Sequence, residues 1–447
     1  MYFLYSALLA FALLVSLPYW VFQMLRRNKY RIGLRERLGA VPPRLQASVP
    51  AHKRVIWIHA VSVGEVLAVQ RLIDEMYTRL PEYRIVISTT TDTGQNLARQ
   101  RFGEENVFYF PLDFVFAIRP YLETLRPAMV VIAETEFWPN FLRLSHAAGA
   151  KIVAVNARIS EDSWSGYRRV RVLMRGVLEQ IELYLAQTEE DRKRLIDIGA
   201  PKENVQVSGN LKYDVEPPPV ASIVSSLRSS FKKSGVQPVI VAGSTMQGEE
   251  SLLLRAFEIV RGRHPRTVLI IAPRHPQRFQ QVADLVHSLG IPLWRRSLWG
   301  GEDLGGAVLL LDTIGELSSI YSVADVAFVG GSLIEFGGHN SLEPAQYGVP
   351  TIVGPHYANF RDMVNLFRAN DAVRVVGPAE LPLCLLDVLS NESDRAALGK
   401  RGLETLRSQR GATQRTLESL QKLLPSSHSH DAQGVGSSTS RQSPGQL

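Results

Sequence analysis

Cysteine is nearly absent from the 447 residues, Cys384 being the single example. One thiol forms no internal disulfide and supplies no multi-cysteine zinc site, so a reducing compartment is the simplest setting. Compositional bias is lacking too. Hydrophobic residues make up 45% and charged residues 21% of the chain, which excludes wholesale disorder, a collagen-like fibre and a multi-span membrane protein. No Asp-x-Asp pair occurs anywhere, which argues against a metal-held nucleotide diphosphate. There is neither a Walker loop nor a GxGxxG fingerprint, which disfavours an NTPase or an NAD enzyme. Nor is there a large charge of one sign. Fifty Lys+Arg against 43 Asp+Glu leave +7, which fits anionic lipid, phosphate or nucleic acid without choosing among them.

Charge is also missing from Met1 to Leu25, and here the absence is informative. The stretch is long enough for a hydrocarbon core of about 30 Å, which takes about 20 apolar residues. Arg26, Arg27, Lys29, Arg31, Arg35 and Arg37 follow it, opposed only by Glu36. A cleavable signal peptide carries its positive charges before the apolar run, and this sequence does the reverse. The positive-inside rule then predicts a span with its N-terminus outside and the remaining chain in the cytoplasm. A helix lying in the interface, or a buried core helix, is the alternative. Tyr19 and Trp20 suit a belt position, and the arginines suit anionic headgroups.

At about 150 residues per domain the length predicts two or three domains. From Val55 to Gly209 seven short β-branched runs alternate with amphipathic stretches, such as Glu65 to Arg79 with Val66, Val69, Leu72, Ile73 and Met76 on one face. The alternation breaks at the three prolines 217–219 and restarts at Pro238 with five further runs. Near-continuous apolar strands separated by helices indicate parallel sheets covered on both faces. The expected class is α/β, two Rossmann-like domains facing a cleft behind a transmembrane anchor. The expected divisions are an anchor over 1–25, a basic juxtamembrane segment over 26–51, a first Rossmann-like domain over 52–214, a proline-rich connector over 215–235, a second Rossmann-like domain over 236–424 and a disordered tail over 425–447. The last helix, about Arg401 to Leu424, is placed to pack back across the domain boundary.

Such sheets bind ligands at the carboxyl ends of their strands, and the unusual residues fall there. After the first strand comes HAVSVGEV, with Glu65 in the first turn of a helix; dipole complementarity accounts for such a residue as readily as catalysis does. After the fourth comes ETEFWPN, with Glu134 and Glu136 followed by Trp138-Pro139, which also reads as a helix start using Pro139 in its first turn. GNLKYD carries Lys212 and IAPRH carries Arg274, a candidate pair of anion-binding cations or two solvated surface groups. TIGEL places Gly315 and Glu316 after another strand. GGHNSLEPA offers glycines, Ser341 as an N-cap, and Glu343 as an acceptor for ribose hydroxyls. In Trp164 to Gly176, a helix would put Arg168, Arg171 and Arg175 on one face, facing phosphates or simply water.

HAVSVGEV, ETEFWPN, NARIS, GNLKYD, APRHP, TIGEL and GGHNSLEPA, in that order behind an apolar segment, resemble the 3-deoxy-D-manno-octulosonic acid (Kdo) transferases of lipopolysaccharide biosynthesis. The match runs from the anchor to about Leu424. The resemblance implies an inverting GT-B glycosyltransferase of the inner membrane that uses CMP-Kdo, needs no metal or other cofactor, and takes a lipid A precursor as acceptor. It implies no nucleic-acid partner, and no protein partner is assigned. By motif position Glu65 resembles the general base, with Glu134 and Lys212 stabilising the transition state. Pro273, Arg274, Ile314, Gly315, Glu316, Asn340, Ser341, Leu342 and Glu343 resemble the CMP-binding segments. Ile314 departs from the Met of many relatives, which touches donor affinity if that contact is by packing. A transferase using a nucleotide diphosphate sugar, and a tethered binder of lipopolysaccharide precursors, are the competing readings.

Overall fold

The computed structural model describes residues 1–27, 32–47, 53–214 and 220–424. Lys29, Arg31, the three prolines 217–219 and the tail 425–447 lie outside the described residues. The chain forms two units, Met1–Asp214 with the segment from Gly411 onward, and Val215–Arg410.

The first unit is built on β1 (Arg54–His59), β2 (Tyr83–Thr89), β3 (Val107–Tyr109), β4 (Pro127–Ala133), β5 (Lys151–Ala157), β6 (Leu183–Ala186) and β7 (Val205–Val207). They pair in parallel in the order β3-β2-β1-β4-β5-β6-β7, with Ile56 opposite both Ile85 and Met129. Parallel strands carry helices on both faces, which is why β1 buries every residue from Val55 to His59. One face packs Trp57 against Phe108 and Phe141; the other packs Ile56 and Ile58 against Val69 and Leu72 of the helix Val63–Arg79. The segment 33–47, expected as part of the basic juxtamembrane stretch, belongs to this fold. Leu45 is fully buried, Glu36 Oε2 accepts from the Tyr109 amide at 2.8 Å, and Arg44 pairs with Glu36 at 2.6 Å. Gly33, at φ 75°, lies where a Cβ would meet the Tyr109 ring, so no other residue fits there.

The second unit holds β8 (Val239–Thr245), β9 (Val268–Pro273), β10 (Leu293–Arg295), β11 (Val308–Leu310), β12 (Val326–Val329), β13 (Thr351–Val353) and β14 (Arg374–Val375), parallel in the order β10-β11-β9-β8-β12-β13-β14. The edge strands β10 and β14 were not expected from sequence. Each is at most three residues long, half-exposed and carries an arginine, so it lacks the apolar run that marks a buried strand.

Three boundaries differ from expectation. The helix Ser222–Ser234, assigned to the connector, buries Ile223, Leu227 and Phe231 in the core of the second unit. The stretch Arg401 to Leu424 is not one helix. Glu392–Ser408 ends and Ala412–Leu423 begins around Gly411, whose φ of 92° suits glycine. That last helix places Leu417 and Leu420 on the first sheet, so the second unit closes at Arg410 rather than at 424. The Asp214 carboxylate caps it, accepting from the amides of Gly411 at 2.6 Å and Thr413 at 2.5 Å.

The N-terminal helix runs Tyr2–Arg27 and is apolar enough to cross a membrane by length and composition, with a mean hydropathy of 1.7 over Tyr2–Tyr19. Its first turns touch the first unit. The Tyr2 hydroxyl donates to the Gly176 carbonyl at 3.1 Å, and Asn140 Nδ2 donates to Ser6 Oγ at 3.0 Å.

Candidate active site

In the first sheet the strand order reverses between β1 and β4, and the crevice beyond the carboxyl ends of such a pair is where these folds take ligands. Glu65 stands after β1 and Glu134 after β4. Glu65 sits in the first turn of its helix with 9% of its surface exposed. Its Oε2 accepts from the Val61 amide at 2.8 Å and its Oε1 from the Ser62 hydroxyl at 3.0 Å. Burial raises its pKa to about 7; the Val61 bond opposes the shift, and the neighbouring carboxylates of Glu134 and Glu136 add to it. A carboxylate poised near neutrality is suited to taking a proton from a hydroxyl.

Glu134 is held in the left-handed region at φ 58°, uncommon for a residue with a side chain and found where a site needs a particular side-chain direction. Its Oε1 meets Lys212 Nζ at 3.2 Å. Lys212 rides on the short turn Leu211–Tyr213, which a polar network fixes. Asn156 Oδ1 accepts from the Leu211 amide at 3.0 Å, Asn210 Oδ1 from the Lys212 amide at 2.9 Å, and Asn210 Nδ2 donates to Gln187 Oε1 at 2.8 Å. Gln187 was not singled out from sequence, and Asn156 entered only as the first letter of the NARIS motif, without a role. Asn156 stands at a strand end and is of a residue type that tolerates its positive φ of 53°. His59, which opens HAVSVGEV, is fully buried, stacked on Phe110 at 3.9 Å and bonded to Ser88. It packs the core.

In the second sheet the reversal lies between β8 and β12. Pro273 ends β9, and the Arg274 amide donates to the Thr245 carbonyl at the end of β8 at 3.0 Å. The charge of Arg274 is felt by both Glu343 and His339, which gathers the APRHP and GGHNSLEPA motifs into one place. Glu343 is half-buried, and desolvation raises its pKa to about 6 against the pull of Arg274. His339 is pushed down to about 4, first by burial and then by Arg274 and His275. Its Nε2 is buried without a partner among the described residues. Glu316 accepts from Arg296 Nη2 at 2.8 Å and from the Thr313 hydroxyl, closing the turn in which Gly315 has φ 89° and Ile314 is 81% exposed. Leu342 is buried in the short helix Leu342–Ala345, and Gln346 just past it donates to Ser318 Oγ at 3.3 Å, tying the two segments together. The loop after β12 is shaped by Glu249, whose carboxylate accepts from the amides of Gly331, Ser332 and Leu333. His339, Arg296 and Glu249 were not singled out from sequence.

Two local expectations are corrected. Ser341 does not cap its helix; Asn340 Oδ1 accepts from the Leu342 amide at 3.1 Å, while the Ser341 hydroxyl turns to Met363 Sδ at 3.3 Å. The stretch from Trp164 to Gly176 is two helices, Glu161–Arg169 and Arg171–Leu178, broken at Val170, so its arginines are not one continuous face.

Comparison with known proteins identifies the fold and the family. The UDP-GlcNAc 2-epimerase from Neisseria meningitidis, bound to UDP-GlcNAc, matches with a TM-score of 0.52 at 14% identity over 83% of this chain and 100% of its own. A glycosyltransferase from Rickettsia africae matches at 0.50 and 14%, over 83% and 99%. These likenesses establish the fold, that of the two-domain GT-B glycosyltransferases. The sequence profile for 3-deoxy-D-manno-octulosonic-acid transferase (kdotransferase) matches residues 33–215. The 3-deoxy-D-manno-octulosonic acid transferase of Haemophilus influenzae is 33% identical over 426 residues, which is 94% of this chain and 98% of that protein. This chain belongs to the Kdo transferase family of glycosyltransferases.

Proposed function

We propose that the enzyme moves Kdo from CMP-Kdo to the glucosamine disaccharide of a lipid A precursor, with inversion and without a divalent metal. The observation that carries this reading is Glu65, near-buried, poised near pH 7 and adjacent to the Glu134–Lys212 pair at the ligand-binding edge of the first sheet. A sugar hydroxyl is a weak nucleophile, and Glu65 takes its proton as the oxygen attacks the anomeric carbon. The bond from that carbon to the phosphate oxygen breaks, the electron pair leaves with CMP, and the centre passes through oxocarbenium character. Lys212 stabilises the charge that develops, held in place by Glu134. In the second unit Arg274 meets the phosphate and Glu343 the ribose hydroxyls, alongside Pro273, Asn340, Ser341 and Leu342. The turn Ile314–Glu316 offers the exposed Ile314 side chain to the base.

We place the enzyme on the inner membrane with both units on the cytoplasmic side. The contacts of Tyr2 and Ser6 put the start of the N-terminal helix on the same side as the first unit. The five peptide steps from Arg27 to Ile32 reach at most about 18 Å, less than the ~30 Å of hydrocarbon. While those contacts are made the helix lies along the interface; a span with Tyr2 on the far side requires them to break.

Donor class is tested by calorimetry. CMP should bind at least about tenfold more tightly than UDP, and Arg274→Ala should weaken CMP by about 10–100-fold through loss of a charge-assisted contact. Equal affinity for UDP would favour a nucleotide diphosphate sugar as donor.

A further inference from the structure

Beside Glu134 the first unit carries an apolar groove of about 480 Å³ that neither proton transfer nor nucleotide binding uses. Its floor is the chain from Thr135 to Pro139, which starts at the residue after Glu134. One wall is Leu4 and Leu8 of the N-terminal helix, and the other is Leu173 and Met174 of the helix Arg171–Leu178. The Tyr2–Gly176 and Asn140–Ser6 hydrogen bonds hold the first wall in place. The lining is mostly aliphatic and aromatic, with Tyr2, Tyr5 and Tyr167 among it, and carries Thr135 and Glu136 at the end next to Glu134, so the groove suits an amphiphile whose polar part points toward Glu134.

The rim matches such a molecule. Leu4, Leu8 and Leu173 are exposed at the mouth, and Val172 beside it is 89% exposed. Arg168, Arg169, Arg171 and Arg175 flank them, all exposed. Arg168 stands 3.8 Å from Asp197 and Arg175 2.9 Å from Glu179, exposed pairs of the kind that exchange readily for a phosphate. Arg169 and Arg171 make no ion pair among the described residues. The volume falls within the roughly 300–1,000 Å³ of small-molecule sites.

We propose that this groove holds an acyl chain of the glycolipid acceptor, and that the N-terminal helix is one wall of the acceptor site as well as a membrane anchor. The proposal rests on the reading of the acceptor as an acylated, phosphorylated glucosamine disaccharide. Hydrocarbon enters between the two helices, the arginines meet the phosphates, and the sugar hydroxyl is left at the Glu134 end.

The test uses the full chain in detergent micelles with CMP-Kdo and two acceptors, the acylated disaccharide and its fully deacylated, water-soluble form. Val170→Trp narrows the groove and Leu173→Gln makes its wall polar; both positions are substantially exposed, so the fold tolerates them. Each variant should raise the KM for the acylated acceptor by at least about fivefold, as expected for loss of a buried methylene contact or more. The KM for the deacylated acceptor should change less than about twofold. Equal effects on both acceptors, or none on either, would overturn the groove. So would a variant that loses binding to anionic vesicles with no change in acyl selectivity, which would make the patch a bilayer contact only. If the unaltered enzyme transfers Kdo to neither acceptor, the proposed function itself fails, an outcome separate from all of these.

Discussion

The Glu65→Gln variant is expected to be folded, to bind CMP and to turn over about 10²–10⁴-fold more slowly. The amide keeps the size of the side chain and can still accept from the Val61 amide, but it cannot take a proton. The residues assigned to CMP lie in the second unit, so nucleotide affinity should stay within a few-fold. The pH profile gives a sharper signature. With the carboxyl near 7, the unaltered enzyme should gain activity as pH rises through that value, and the variant should show no such limb. Stability follows the same group. Its pKa is about 7 in the folded state against an ordinary value of 4.5, so the folded state binds the proton more tightly, and the stabilisation this provides is complete below pH 4.5 and lost as pH rises to about 7. Gln carries no such dependence, so the melting temperature of the variant relative to the parent should climb across that interval. Loss of a first-turn carboxylate costs about 0.3–1 kcal/mol, too little to unfold the unit. Near-normal turnover would return Glu65 to a purely helix-stabilising role.

Lys212→Met should lower the single-turnover rate by about 10²–10³-fold, the usual cost of removing one preorganised group that stabilises developing charge. Lys212 is also the cation beside Glu134 at 3.2 Å. Its loss leaves that carboxylate uncompensated near Glu65, so the acid limb of any residual activity should move above 7. Lys212→Arg keeps the charge and should recover part of the rate with little shift in the limb. A Met variant within threefold of the parent rate would remove Lys212 from the chemistry.

The strand-bearing runs were legible because a parallel strand buried on both faces is apolar over most of its length, as Val55–Ile58 and Met129–Ala133 are. Edge strands obey no such demand, and β10 and β14 went unseen for that reason. The first-turn position of Glu65 and the strand-end position of Glu134 followed from the same reading. What pattern could not supply was support contributed from distant points in the chain. Asn156, Gln187 and Asn210 converge on the Lys212 turn only after β5, β6 and β7 pair. The Asp214 carboxylate finds the Gly411 and Thr413 amides across nearly two hundred residues, which moves the last helix into the first unit. The helix break at Val170 also escaped, since the stretch around it contains neither proline nor adjacent glycines to announce it.

The most direct test of the account is to incubate the full chain with CMP-Kdo and a lipid A precursor in the presence of a chelator, following CMP release and the mass of the lipid. The lipid is expected to gain one or more Kdo units, with one CMP released for each and the rate unchanged by the chelator. An unmodified lipid, or transfer only from a nucleotide diphosphate sugar with added metal, would contradict it.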